Sequence, residues 1–272
     1  MELLRYDFGY EWPWVWGHAI AALVFALLAV LFARLAFRWW SAITAAAALW
    51  AVAGAIILNV VMRFSLPIAL PTEQFLASGH GQVLDAGAGS GRSTLMVLLA
   101  RPAATVTALD IFGAEYGIGG NTPDRLVANA RAAGAGDRLT VQVGDMRAMP
   151  FVSASFDGAV SAFAIDHLRQ VDVEKTFAEL ARVLKPGGEF LLLVINQDAW
   201  IKTALPFFVH HGYFGGRAYP DRWRQQLTTA GLAVVEEGTT PGTLYFLTRN
   251  QGAPATAHGP APAAPAVAAL GR

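Results

Sequence analysis

Asp85, Gly87, Gly89 and Gly91 stand at intervals of two in V-L-D-A-G-A-G-S-G-R (Val83 to Arg92), a spacing suited to holding backbone close to a bound group. Glycines let a chain turn sharply and leave space where a Cβ would stand, and a helix that follows has unpaired N–H groups at its start. Nineteen residues after Gly91 comes Asp110, at the end of the apolar run that begins at Ala104. A carboxylate placed there can accept hydrogen bonds from ribose hydroxyls. Two kinds of nucleotide compete for such a site. A dinucleotide needs G-x-G-x-x-G or A, whose third small residue lets the helix pack closely under a pyrophosphate, but that position is Arg92 here. Asp85, two residues before the first glycine, would repel a pyrophosphate and suits an ammonium or sulfonium. The residues therefore favour an adenosine ligand carrying positive charge over a nicotinamide dinucleotide.

To place these groups, a strand must end near Asp85, a helix must start near Gly91 and a second strand must end at Asp110. Gln82 to Asp85 and Ala104 to Asp110 read as those strands, with a helix from about Gly91 to Ala100 between them. Thr122, Pro123 and Asp124 supply a cap, a first-turn proline and a first-turn acid for a helix reaching about Ala133. Leu139 to Val143 and Phe156 to Ala162 read as strands three and four. Val173, Phe177, Leu180 and Leu184 mark one buried helical face that ends at Lys185 to Gly188. Glu189 to Ile195 is the fifth strand and Arg222 to Ala230 a further helix. Leu232 to Glu237 and Thr243 to Thr248 are joined by a turn, Gly238 to Gly242, too short for a crossover, so they pair antiparallel. The expected fold is α/β, a doubly wound, mostly parallel sheet.

The first 63 residues have a different texture. Trp12 to Ala33 and Trp39 to Met62 carry no Asp, Glu, Lys or Arg, and each is long enough to cross ~30 Å of hydrocarbon as a helix. Spans near residues 14–36 and 40–62 are expected. Arg34, Arg38, Trp39 and Trp40 suit the headgroup layer at the turn, and Trp12, Trp14 and Trp16 suit the opposite one. A cleaved signal peptide is disfavoured, because Glu2, Asp7 and Glu11 outnumber Arg5 ahead of the first run and a second long run follows. Two spans leave both termini on one side, but loop and flanking arginines balance, so charge alone sets no orientation. The chain divides into an anchor (1–63), an α/β domain (64–250) and an Ala/Pro/Gly-rich tail (251–272) too poor in large apolar groups to order itself.

Lys and Arg number 20 and Asp and Glu also 20, without a basic block, so nucleic acid is not an expected partner. The absence of cysteine excludes disulfides, thiolate metal sites and cysteine nucleophiles. No metal is expected: His210 and His211 are adjacent but lack partner ligands at metal-site spacing.

Five stretches in order, Val83 to Arg92, T-A-L-D-I (Thr107 to Ile111), V-G-D-M-R-A-M-P-F (Val143 to Phe151), F-D-G-A-V-S (Phe156 to Ser161) and A-R-V-L-K-P-G-G-E-F (Ala181 to Phe190), resemble the class I S-adenosylmethionine-dependent methyltransferases over roughly Leu70 to Asn250. The last two resemble especially the small-molecule branch that includes quinone-biosynthesis methyltransferases. The resemblance implies a seven-stranded sheet whose final strand is antiparallel, with S-adenosyl-L-methionine as cofactor. Carried over by position, it places Gly87 and Gly89 beside the methionine part, with Asp85 near its ammonium, directly or through water, and counts Gly91 of the same loop among the cofactor-binding residues. Asp110 would hold the ribose, Ile111 would lie against adenine, and Asp145 would accept from the adenine amino group while Met146 packs on the ring. Ser161 would stand where backbone meets the methionine end.

Methyl transfer from a sulfonium is an in-line displacement in which the enzyme mainly aligns the two reactants. A base is needed only where the acceptor loses a proton. Asp166 and His167 follow strand four at the carboxyl edge; His167 could take that proton and Asp166 orient it. The alternative is a helix cap followed by a histidine that only lines the pocket. Trp200, Phe207, Phe208, Tyr213 and Phe214 fill an insertion after strand five and suit an apolar or lipid-like acceptor pocket, an aromatic mini-core or a membrane-facing surface. Gly117, Gly119 and Gly120 around Tyr116 suit either a lid or a plain loop. The expected protein is thus bilayer-anchored, its catalytic domain in the cytoplasm where the resemblance puts the cofactor, with a small-molecule or lipid-like methyl acceptor. A membrane module that binds the cofactor without turnover is the alternative.

Overall fold

The computed structural model describes residues 5–113, 119–196 and 220–252, apart from the side chain of Trp14. The sequence-predicted aromatic insertion after the fifth strand, residues 116 and 117 of the glycine loop, and the tail beyond residue 252 lie outside them. Two long helices, α1 (Trp12–Arg34) and α2 (Arg38–Ile56, continued by a π turn Ile57–Val61), form an antiparallel hairpin. Both end or begin earlier than the sequence suggests, because Ala36 takes a left-handed conformation (φ 63°) and stops α1 at Arg34. Polar groups cross between the helices: Ser41 Oγ donates to Ala29 O and Asn59 Nδ2 to Val15 O, and Gly54 lies under the His18 ring. Most of the exposed large apolar side chains among the described residues lie between Trp12 and Val60. Both helices are long and apolar enough to cross a membrane.

The remaining chain alternates strand and helix: β1 (His80–Ala86), α3 (Arg92–Ala100), β2 (Ala103–Asp110), α4 (Pro123–Ala132), β3 (Leu139–Val143), β4 (Phe156–Ala162), α5 (Gln170–Val183), β5 (Leu184–Ile195), α6 (Asp221–Thr229), β6 (Leu232–Thr240) and β7 (Thr243–Asn250). Among the described residues these strands form one sheet of seven in the order β3-β2-β1-β4-β5-β7-β6. Neighbours from β3 to β5 are parallel, and β7 runs antiparallel to both β5 and β6. The strands read as near-continuous apolar runs because both faces are covered. Leu84, Ala159, Phe190, Leu192 and Phe246 face one layer with Phe177 of α5 and Trp223 of α6. Val83, Val160, Leu191, Leu193 and Leu247 face the other with Leu95 and Met96 of α3 and Ala130 of α4.

Two boundaries differ from the sequence reading. Leu184 belongs to β5, not to the helical face, and β5 starts five residues before Glu189 with a register shift against β4 between Phe156 and Gly158. Pro186 lacks an N–H and disfavours helix in the residue before it, so α5 closes at Val183. The β6–β7 turn is also shorter than Gly238 to Gly242. Gly238 lies inside β6, where an added Cβ would come within 2.6 Å of the Tyr245 hydroxyl; the glycine allows the ring to lie across it.

Arg5 to Tyr10, on the anchor side of the sequence division at residue 63, pack on the α/β layer. Phe8 is buried in the same cluster as Phe75, Leu95 and Ala130. Asp7 N donates to Asn129 Oδ1, Asn129 Nδ2 donates to Asp7 O, and the Arg5 guanidinium donates to Ala132 O at the end of α4.

Candidate active site

The carboxyl ends of β1 to β4 surround a cavity of about 330 Å3, inside the ~300–1,000 Å3 range of small-molecule sites. Gly87, Ala88, Gly89 and Ser90 form its floor where β1 gives way to α3. Gly87 sits at φ 81°, and a Cβ on it would lie 2.5 Å from Ala164 Cβ and 2.7 Å from Met146 Cε, so both backbone conformation and space require glycine. Gly91, at φ 96°, is the residue before α3 and faces Leu126 behind the loop.

Asp110 ends β2 and shapes the adjoining wall. Its Oδ2 accepts from Gly89 N at 2.8 Å and its Oδ1 from Phe112 N at 2.6 Å, so one carboxylate fixes the glycine loop and the turn after β2 together. Asn121 Nδ2 lies 3.4 Å from the same Oδ1. Each oxygen of a carboxylate has two lone pairs, so Oδ2, with one donor, can take a further one. Asp145, after β3, also faces the cavity and accepts from Arg147 Nε and Nη2 and from Arg147 N. Those bonds hold its carboxyl below the usual carboxylate range. The Arg147 guanidinium reaches onward to Asp172, 3.6 Å away.

A Methyltransferase domain family matches residues 83–188, which run from the glycine loop to the Lys185–Gly188 stretch. Over these residues the chain is similar to methyltransferase domains. Among curated proteins, the ubiquinone/menaquinone biosynthesis C-methyltransferase of Rhizobium etli is 32% identical over 138 residues, covering 47% of this chain and 50% of that protein. A 24-methylenesterol C-methyltransferase 2 of Oryza sativa subsp. japonica is 34% identical over 154 residues, 54% of this chain and 38% of that protein. The chain thus spans half or less of the length of these relatives. Among solved structures, an O-methyltransferase family protein from Burkholderia thailandensis aligns with TM-score 0.55 at 19% identity, over 77% of this chain and 61% of that one. An S-adenosylmethionine-dependent methyltransferase from Methanosarcina mazei aligns with TM-score 0.52 at 19% identity, over 69% of this chain and all of that one. Both likenesses agree with the seven-stranded, mostly parallel sheet.

Of the site residues expected from the sequence, the α/β domain brings Gly87, Gly89, Asp110, Ile111, Asp145, Met146 and His167 to the cavity. Ile111 is half exposed there. Asp85, Gly91, Ser161 and Asp166 do not line it. Asp85 is fully buried behind the glycine loop and accepts from Ser93 Oγ at 2.8 Å and Thr94 Oγ1 at 2.6 Å. Burial pushes its carboxyl up to about 7, against the two hydroxyls that favour the charged form. Ser161 is also buried, its Oγ donating to Ala86 O at 2.7 Å, which ties β4 to the end of β1. Asp166 lies buried in a 3-10 turn, Ile165–His167; the residue before α5 is Arg169, so the sequence alternative of a helix cap at Asp166 is not what the turn provides.

The cavity has a further wall that sequence reasoning missed. Phe8, Tyr10, Ile68 and Arg92 line it beside Asn121, Arg147 and Phe163. The first three flank the helical hairpin, before α1 and after α2. The alternation in Y-D-F-G-Y (Tyr6 to Tyr10) is the signal that could have found this wall: it is a strand-like pattern of aromatics ahead of an otherwise unbroken apolar helix. Gly119, expected in a lid or a plain loop, donates its N–H to Gly9 O at 2.8 Å, in the strap Arg5 to Tyr10 that precedes α1.

Proposed function

We propose that this chain is a membrane-anchored, S-adenosylmethionine-dependent methyltransferase that acts on a small, apolar or lipid-like acceptor. The observation that carries the reading is that one cavity is lined both by Gly87, Gly89, Asp110 and Asp145 and by Phe8, Tyr10 and Ile68, the chain at the foot of two membrane-length helices. The donor set fits an adenosine sulfonium: acidic acceptors stand at the ends of β2 and β3, and the space at Gly87 is closed to any side chain. The quinone and sterol C-methyltransferases among the relatives support an apolar acceptor.

S-adenosylmethionine, when bound, supplies a methyl group already activated on sulfur. The chain then has to align and exclude. Asp110 would accept from a ribose hydroxyl with the lone pair left on Oδ2 beside Gly89 N. Asp145 would accept from the adenine amino group, with Arg147 leaning on Asp172 to release it. Met146 and Ile111 would bracket the ring. Asp85, behind the loop, would favour the cationic donor in its ionised form. His167, in the turn after β4, would take a proton where the acceptor loses one, with Asp166 beside it as the orienting group. The hairpin would hold the cavity at the membrane surface, with the domain on the cytoplasmic side.

The test is incubation of the full chain, reconstituted in membrane, with methyl-labelled S-adenosylmethionine and host lipid extract. Label in an extractable apolar product is expected; label that stays in the donor pool, with donor bound, would favour a binding module without turnover.

A further inference from the structure

Arg92 is the first residue of α3, next to the glycine loop, and its side chain meets the segments before α1 and after α2. Its Nε donates to Leu66 O at 3.0 Å, its Nη2 to Met62 O at 3.0 Å and Arg63 O at 3.3 Å, and its Nη1 to Tyr10 Oη at 3.3 Å. The guanidinium carbon lies 5.7 Å from the centre of the Tyr10 ring and 5.4 Å from that of Phe64, and the two rings stack at 4.6 Å. The carbonyls it takes belong to the exit of the second long helix, where acceptors lack helical partners and the dipole favours a cation. One planar fork thus gathers the strap before α1, the exit from α2 and the start of α3. Lysine offers a single point charge and could not satisfy this set.

A second tie runs in parallel. Asn129 Nδ2 donates both to Asp7 O at 2.7 Å and to Ser90 O at 2.9 Å, linking the same strap to the glycine loop from the α4 side. Phe8 and Tyr10 of that strap, Ile68 beyond the exit, and Arg92 itself all line the cavity. Nothing in the sheet layers depends on the guanidinium, because each of its acceptors lies in the strap or the exit segment.

Resting on the reading of this cavity as the donor site, we propose that Arg92 is a positioning residue: it docks the foot of the hairpin as one wall of the site, so that donor affinity is set by residues 5–11 and 62–68 as well as by the sheet. A donor molecule in the cavity then presses against chain that Arg92 holds, and is retained only while that chain is docked.

The experiment uses the full chain in lipid nanodiscs, with S-adenosylhomocysteine as the probe, and reads both calorimetric affinity and amide exchange. Arg92→Gln is expected to weaken binding about tenfold, with Arg92→Lys restoring only part. The probe should slow exchange across 5–11 and 62–68 in the parent chain and fail to do so in Arg92→Gln, while exchange in β4 and β5 stays the same in both. A folded Arg92→Gln with parental affinity, or a parent whose strap exchange ignores the probe, overturns the proposal. Should Arg92→Gln not fold, Phe64→Leu keeps the bulk and removes the ring: an affinity loss of about threefold is expected, and parental affinity overturns the proposal. A parent chain that binds no probe at all overturns the donor-site reading itself, which the variants then distinguish by local exchange alone, since loosening of 5–11 in Arg92→Gln without probe tests the docking separately.

Discussion

The hairpin and the sheet are both built from apolar side chains, and they point them in opposite directions. On α1, Leu23 and Leu27 are each 62% exposed, and Trp39 at the turn is 84% exposed. On the sheet and its helices, Phe177, Phe190 and Trp223 are fully buried, with ring centres 6.1 and 6.3 Å from Phe177. Composition alone does not separate these cases; continuity does. A run of about twenty uncharged residues has no polar face to give to water, whereas strands of five to twelve residues between helices are covered on both sides by the chain itself. Glycine differs in the same way. Gly54 lets α2 approach the His18 ring, a side chain able to turn, whereas Gly87 lies against Ala164 Cβ, which cannot move without its backbone.

The comparison is broken most sharply by core truncation. Phe177→Ala should lower the unfolding stability of the detergent-solubilised chain by about 3–5 kcal/mol, and Leu27→Ala by less than about 0.5 kcal/mol, both read by denaturant titration of tryptophan fluorescence. Equal losses would mean that the outward face of α1 is packed on protein. Next is Gly87→Ala, expected to weaken S-adenosylmethionine binding by about 100-fold or more through its left-handed φ and the Ala164 contact; Gly54→Ala should leave donor affinity within about twofold, as measured by calorimetry. His167→Ala should lower turnover by about 100-fold if the acceptor loses a proton there, with donor affinity unchanged; parental turnover would make the histidine a lining residue only. Asp110→Ala should cost about tenfold in donor affinity, and an unchanged value would remove it from the site.

The smallest expected effect concerns pH. Asp85 is held up to about 7 in the folded chain, so it is largely protonated below that pH, and a cationic ligand nearby favours its ionised form. Affinity for S-adenosylmethionine should therefore rise a few-fold as pH increases through 7, whereas the uncharged-sulfur S-adenosylhomocysteine should show less of this rise. Asp85→Asn should flatten the difference. The same shift also bears on stability. The folded value lies above the unfolded one, so proton binding favours the folded chain between the two, and this contribution is lost as pH rises from about 4 to 7.

The sheet was legible because its strands are apolar runs set off by turns and helices, and the start of α4 is capped as expected: Thr122 accepts from Arg125 N as its position before Pro123 suggests. β3 and β4 fall at the bounds expected from their apolar runs. The loop after α5 was misread because Leu184 keeps the helical spacing while Pro186, two residues on, decides the backbone. At the site, Gly87 and Asp110, read from spacing, and Asp145, read from the resemblance, all line the cavity. Ser161 and Asp85 do not: whether a strand-end hydroxyl or carboxyl faces a cavity or a neighbouring strand is a matter of depth, and depth is set by the layers above. Arg92 was read only as a mismatch to a dinucleotide pattern, because its partners, Tyr10 and Met62 to Leu66, are about 26 to 82 residues away in sequence.

Phe8 is separated from the layer it completes by the whole hairpin, and Asp7 meets Asn129 across 122 positions. A biochemist wanting an easier preparation would be tempted to trim everything before residue 64 and express the remainder as an ordinary water-soluble enzyme. That cut would leave an open apolar socket beside Phe75 and strip Asn129 of both its bonds to Asp7, leaving its Nδ2 bond to Ser90 of the glycine loop. A shorter version that keeps residues 5–10, rejoined to Phe64 by a flexible tether in place of the two long helices, is the one the packing favours.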